Sequence, residues 1–171
     1  MQIAPLPWLE RTFSFGLPTQ LAPNFLERLR GTPARLEEIL TSVGDAVTHR
    51  PESDKWSIQE HVGHLLDVES LWAKRFEEFK NAMETLTAAE MTGRRTWQAD
   101  YNAVPLEKII GEFRAARQGV VRFLELMPAA CFERKALHPR LNTMISPVDL
   151  MYFAAEHDDH HLVQIARLMR V

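Results

Sequence analysis

The run Glu156-His157-Asp158-Asp159-His160-His161 sets two imidazoles four residues apart. On an α-helix this spacing stacks His157 and His161 one turn apart on a single face. Two such side chains chelate one divalent metal at nitrogen–metal distances of ~2.0–2.1 Å, and a firm site takes at least a third ligand from another element. His160, three residues after His157, is an alternative partner within the same run. A third ligand is on offer in Gly63-His64-Leu65-Leu66-Asp67, where Leu65 and Leu71 have core-type spacing and leave His64 at the inward edge of an apolar stripe. His61 sits one turn nearer the start of that helix. Of the remaining histidines, His49 and His138 fall in loops; His49 is read as solvent-exposed, and His138, before Pro139, as a turn or rim residue. A helical histidine pair without a third ligand is equally well read as hydrogen-bonded core or surface.

The elements that must position these residues are helical, and strand signals are nearly absent. An irregular arm through Phe13, Phe15 and Pro18 is followed by a lead-in segment with Phe25, Leu26 and Leu29 up to Gly31. Thr32-Pro33 then reads as N-cap and first residue of a helix carrying Leu36, Ile39, Leu40 and Val43, closed by Gly44. Because the lead-in is also apolar at helical spacing, the alternative is one longer helix kinked near Pro33. Ser57-Ile58-Gln59-Glu60 is a capping box, and the stripe Val62, Leu65, Leu66, Leu71, Trp72, Phe76 carries a second helix to about Phe79. A third opens near Pro105 and ends before Pro128. A fourth opens at Ser146-Pro147-Val148-Asp149 and runs nearly to Val171.

A long connection, about 83–104, joins the second and third helices, and segments of that length inside a compact domain are functional or wrapped across the bundle. Arg94 or Arg95 on it is placed to meet a carboxylate at the open side of a site. The tryptophans Trp8, Trp56, Trp72 and Trp97 read as packing residues, with Trp97 a candidate for a pocket rim. The expectation is an all-α four-helix bundle, one domain over 1–171, with an arm and lead-in helix at 1–31 and the bundle from about residue 32.

Composition narrows the function classes. Hydrophobic residues make up 46% and charged residues 25%, which is globular rather than disordered or fibrous. The formal charge of −3, without a run of five like charges, lacks the basic footprint of nucleic-acid binders, so DNA and RNA are not expected partners. No stretch reaches the ~20 apolar residues of a membrane span. The single cysteine, Cys131, has no internal disulfide partner and fits a reducing compartment; its neighbours Ala129, Ala130 and Phe132 offer no base, and it reads as a small buried apolar group. The segment Met1 to Leu9 lacks the basic start and apolar run of a signal peptide, which makes the cytoplasm the expected location.

Three stretches, taken together, point to a family. Lys55-Trp56-Ser57-Ile58-Gln59-Glu60, then His64-Leu65-Leu66-Asp67-Val68-Glu69, and finally His157-Asp158-Asp159-His160-His161-Leu162-Val163-Gln164-Ile165 resemble the DinB/YfiT-like superfamily of four-helix metalloproteins, over about Gly31 to the C-terminus. The family's intervening His-Pro turn is echoed by His138-Pro139. The resemblance implies that the metal ligands are His64, His157 and His161, and that His160 neighbours the site as a substrate contact or structural residue. Asp67, i+3 from His64, and Glu60, i−4, are placed to accept the second ring N–H of that ligand, or else are solvated helix charge; Gln164, i+3 from His161, could serve likewise or support packing.

Three neutral imidazoles leave coordination positions open, which marks a catalytic rather than a structural metal. Zinc or nickel is expected first, with iron as an option, since imidazole suits all three. Characterised enzymes of the superfamily are mainly thiol-dependent: glutathione- or mycothiol-dependent maleylpyruvate isomerases and bacillithiol S-transferases. The resemblance therefore implies a metal-dependent transferase joining a low-molecular-weight thiol to a small electrophile. Two other readings stay open: a non-catalytic metal- or small-molecule-binding helical dimer in stress or detoxification physiology, and a hydrolase using metal-activated water. The expected partners are a small-molecule substrate and, because bundles of this family often pair, a second copy of the chain.

Overall fold

Ser57 begins a helix as its spacing from Glu60 predicts. Its hydroxyl accepts from the Glu60 N–H at 3.1 Å, and the Glu60 carboxylate accepts from the Ser57 N–H at 2.9 Å. This closed capping box opens α2, Ile58–Lys80. The computed structural model describes residues 3–41 and 43–170. Ser146 and Asp149 repeat the box at 3.2 and 2.9 Å and open α5, Pro147–Leu168; Val171, toward which this helix was expected to run, and Met1 lie outside the described residues. The other two long helices are α1, Ala22–Leu40, and α4, Leu106–Leu126, the latter set between Pro105 and Pro128 as expected.

Thr32-Pro33 does not start a helix. α1 runs through Pro33, so the lead-in and first helix are one element, and Gly44 lies beyond its end, leading into a turn at Asp45–Thr48. The reason is tertiary. Leu29, Leu36 and Leu40 are buried at helical spacing on both sides of Pro33, and this packing outweighs the missing N–H. Thr32, buried, uses its hydroxyl on the Asp158 carboxylate at 2.7 Å instead of capping.

α1 packs on α4 and α5, and α2 packs on the same two, so α1 and α2 stand at diagonal corners of a four-helix bundle. One apolar cluster holds Leu29, Trp72, Phe76, Val120, Leu124 and Phe153; the other holds Leu36, Val62, Leu65, Phe113, Leu162 and Ile165. Between them lies a polar node. Arg117 of α4 donates to Glu69 of α2 at 3.0 Å, to Asp158 of α5 at 3.0 Å and to the Leu29 carbonyl of α1 at 3.1 Å, all out of solvent. A single guanidinium thus ties the four helices at one level, with its charge matched on both sides.

The long connection is structured. It contains α3, Arg94–Gln98, which packs on α2, and a one-turn segment at Tyr101–Ala103. The link from α4 to α5 carries an antiparallel hairpin of β1, Ala136–His138, and β2, Thr143–Ile145, which the near-absence of strand signals had not predicted. Strands of three residues hold too few positions for an alternating pattern to register. His138 is accordingly a buried strand residue and not a turn or rim one, because β1 turns it inward. Cys131 is buried as expected, and His49 is exposed. Among the described residues no helix is long and apolar enough to cross a membrane.

Candidate metal centre

The contact between α2 and α5 brings the three expected ligands together. His64 Nε2 lies 3.4 Å from His157 Nε2, which lies 3.3 Å from His161 Nε2. Candidate ligand atoms of all three residues fall within 4.8 Å of one another. Two nitrogens held at ~2.0–2.1 Å from one ion at a tetrahedral angle are about 3.3–3.4 Å apart. The cluster therefore fits a divalent metal with a coordination position left over.

Burial keeps these imidazoles in the neutral, metal-ready form. It pushes His64 down to about 4, with the charge of His160 adding to the effect, and it holds His157 and His161 well below the ordinary histidine range. Hydrogen bonds then choose the tautomer of His64. The Thr96 hydroxyl donates to Asp67 Oδ2 at 2.9 Å, so its oxygen accepts from His64 Nδ1–H at 3.1 Å and leaves the Nε2 lone pair free. Asp67 is held from two further directions, by the Tyr101 hydroxyl at 2.8 Å and the Arg95 guanidinium at 2.8 Å. His61 Nδ1 lies 3.0 Å from His161 Nδ1, and when Nε2 of His161 faces the cluster its Nδ1–H donates to His61.

Several expected roles change. Glu60 does not reach His64: its carboxylate is occupied by the Ser57 N–H and by Arg50. Asp67 acts on His64 only through Thr96, because the hydroxyl of α3 stands between them. Arg95 is taken up by Asp67 and Arg94 is exposed; the charged residues that line the cleft are Asp54, Lys55, Arg75, Glu90 and Arg140. His160 and Gln164 both line the cleft without being in the three-histidine cluster. His61 and Thr96 were not singled out for these parts. His61, three residues before His64, carried a helical signal for sharing its face; Thr96 carried none, since its position depends on how the 83–104 segment folds back.

The cluster lies in a cleft of about 530 Å³. All four tryptophans line it; Trp72 also packs in the first apolar cluster, with Trp8 against it, so these two pack as expected. Trp56 lies over the ligand set, its ring centroid 4.6 Å from that of His64. Trp8, from the N-terminal arm, meets the His157 ring edge-on at 5.1 Å, and Arg11 pairs with Glu156 to hold the arm against α5. The site is an aromatic-walled cleft with the three imidazoles in its wall.

The DinB superfamily model matches residues 28–165. No curated protein sequence matches the chain. Among solved structures, the chain is similar to YfiT from Bacillus subtilis, a probable metal-dependent hydrolase with an unusual four-helix bundle topology, at TM-score 0.81 and 16% identity, over 94% of this chain and 93% of that one. It is also similar to a mycothiol-dependent maleylpyruvate isomerase at TM-score 0.67 and 11% identity; 87% of this chain is covered but only 61% of the isomerase. At these identities the structures speak for the fold, while the family match spans most of the sequence and includes the region of all three histidines. The chain belongs to the DinB superfamily.

Proposed function

We propose that the protein is a metal-dependent transferase in which a low-molecular-weight thiol attacks a small electrophile, with His64, His157 and His161 as metal ligands. The observation that carries this reading is the convergence of His64, His157 and His161 in an aromatic cleft, with His157 Nε2 at 3.4 and 3.3 Å from Nε2 of the other two. A divalent metal in that position, zinc or nickel ahead of iron, supplies Lewis acidity that favours a thiol in its deprotonated, nucleophilic form. The Thr96–Asp67 pair fixes the lone pair of His64, and Trp8 and Trp56 pack against the rings of His157 and His64. In the transfer the sulfur electron pair forms the new S–C bond, the leaving group departs with the C–X pair, and the thiol proton passes to solvent. The mycothiol dependence of one structural relative supports a thiol as cosubstrate.

Hydrolysis is the second reading, and the likeness to YfiT over 94% of the chain favours it. A single-domain chain acting as a cytoplasmic homodimer completes the proposal; exposed Leu126 and Val163 on α4 and α5 are apolar surface available to a second copy, and light scattering tests it. The decisive experiment loads untagged protein with metal, measures metal content, and assays thiol consumption over a panel of thiols and electrophiles beside His161→Ala. Stoichiometric metal in the wild type and thiol-dependent turnover lost in the variant are expected. Turnover without added thiol would replace transfer by hydrolysis. Metal binding with neither activity would leave a binding protein.

A further inference from the structure

Burying a guanidinium away from water is costly unless a carboxylate accompanies it, as Glu69 and Asp158 accompany Arg117. Arg75 and Arg140 break that pattern. Arg75 is 1% exposed and Arg140 is half-buried, and among the described residues neither forms an ion pair with a carboxylate, Glu78 acting on Arg75 only at longer range. Both line the cleft that contains the three histidines.

Arg75 is nonetheless held in place. Its Nε donates to the Thr87 carbonyl at 2.9 Å, its Nη1 donates to His138 Nε2 at 3.2 Å, and its guanidinium carbon lies 5.7 Å from the Trp72 ring. His138 Nε2 accepts in the tautomer that carries its proton on Nδ1, and burial, with the charges of Arg75 and Arg140 adding to it, keeps the ring neutral, its pKa down to about 4. The Arg140 guanidinium carbon sits 5.6 Å from the Phe153 ring. Each guanidinium thus rests on an aromatic wall and keeps one buried nitrogen, Nη2, without a hydrogen-bond partner.

Those two nitrogens belong to a larger set. The buried side-chain polar atoms without a partner among the described residues are Trp56 Nε1, Trp72 Nε1, Arg75 Nη2, Arg140 Nη2 and His157 Nδ1, and all five residues line this one cleft. Four of the five atoms can only donate. Unsatisfied donors on residues that line one cleft, two of them on cations, favour a ligand rich in acceptor oxygens and negatively charged.

We propose that Arg75 and Arg140 form an anion subsite that takes the carboxylate of the electrophilic substrate, the unsatisfied guanidinium N–H groups of the two arginines turning to its oxygens. The assignment to a substrate rests on the transferase reading; the subsite itself does not involve the metal. It gives the cleft two functions, carboxylate capture at the arginines and chemistry at the histidines.

The test titrates chelator-treated full-length protein with phenylacetate, phenylacetamide, inorganic phosphate and glutathione, reading tryptophan fluorescence, since all four indoles line the cleft. Wild type is compared with Arg140→Gln, Arg75→Gln and Arg75→Lys. Saturable quenching by phenylacetate is expected, about tenfold or more weaker for phenylacetamide and for Arg140→Gln. Arg75→Gln counts only if its circular dichroism melt shows it folded; Arg140→Gln, the less buried site, carries the test otherwise. Equal binding of acid and amide, or undiminished binding by Arg140→Gln, overturns the subsite. Tighter binding of phosphate overturns the carboxylate assignment, and arginine-dependent binding of glutathione without phenylacetate overturns the assignment to the substrate. Because no metal is present, failure here leaves metal content and thiol turnover untouched, and failure of those leaves this binding untouched.

Discussion

The Thr96 hydroxyl lies 3.1 Å from His64 Nδ1, although the two residues are 32 positions apart and Thr96 sits on a helix of only five residues. Its proton goes to Asp67, so the histidine must donate and present a bare Nε2 to the cluster. Thr96→Val keeps the shape and removes this control of the tautomer. Metal affinity is expected to fall about tenfold to a hundredfold, the usual scale for losing such a support, and Thr96→Ser should restore most of it. Competition against a chromophoric chelator measures both, and equal affinity in wild type and Thr96→Val would rule out the relay.

His61 stands in the same relation to His161, at 3.0 Å between Nδ1 atoms. If it orients His161 without being a ligand, His61→Leu lowers metal affinity while keeping one metal per chain, whereas His161→Ala loses the metal. Elemental analysis of both variants decides, and loss of stoichiometric metal in His61→Leu would make His61 itself a ligand.

The bundle and the His157/His161 juxtaposition were readable because their causes are local. Capping boxes at Ser57 and Ser146 need four consecutive residues, and the His157/His161 spacing needs one helical turn. What stayed hidden depends on contacts between distant segments. Thr32 looks like a cap until Asp158, 126 residues away, claims its hydroxyl at 2.7 Å. Glu60 has the right spacing for His64, but Arg50, ten residues earlier in the chain, competes for it at 2.8 Å. Arg75 and His138 meet across 63 positions through a hairpin too short to leave a pattern.

Arg117 has two buried carboxylates for partners, and burial, with the charge of Asp158 adding to it, raises Glu69 above the usual carboxylate range despite the pairing. Arg117→Ala strands both anions in the middle of the bundle. A loss of about 3–5 kcal/mol is expected from the cost of breaking a buried ion pair, read as a lower urea midpoint. A loss below ~1 kcal/mol would show that the node is not what joins the helices.

Glu60 supplies a pH signature. Burial would raise its pKa, but the Arg50 guanidinium and the Ser57 cap outweigh that and hold it below the ordinary carboxylate range. A folded-state pKa below the unfolded one means that the stabilisation is fully present above the unfolded value, near 4.5, and is lost as pH falls through the folded value. The Tm of Glu60→Gln should therefore trail wild type most at neutral pH and converge with it as pH falls through the lowered folded-state value. A gap that stays constant with pH would remove the Arg50–Glu60 charge pair as its cause.

Gly63 ties the packing of α2 to the centre itself. A Cβ built there meets Tyr101 ring carbons at 2.2–2.4 Å, closer than any real contact, and the ring cannot back away without withdrawing its hydroxyl from Asp67. Gly63→Ala should cost about 1–3 kcal/mol as an overpacked core residue, and it should also weaken metal binding because Asp67 then loses one of its supports beside Thr96. Tyr101→Phe separates the two effects, since it removes the hydroxyl and leaves the ring in place. If the glycine alone admits the ring, Tyr101→Phe lowers metal affinity with a smaller loss of stability, and Gly63→Ala combined with Tyr101→Ala recovers stability without recovering affinity. Full metal affinity in Gly63→Ala, measured by chelator competition, would show that the ring and the metal centre are not coupled.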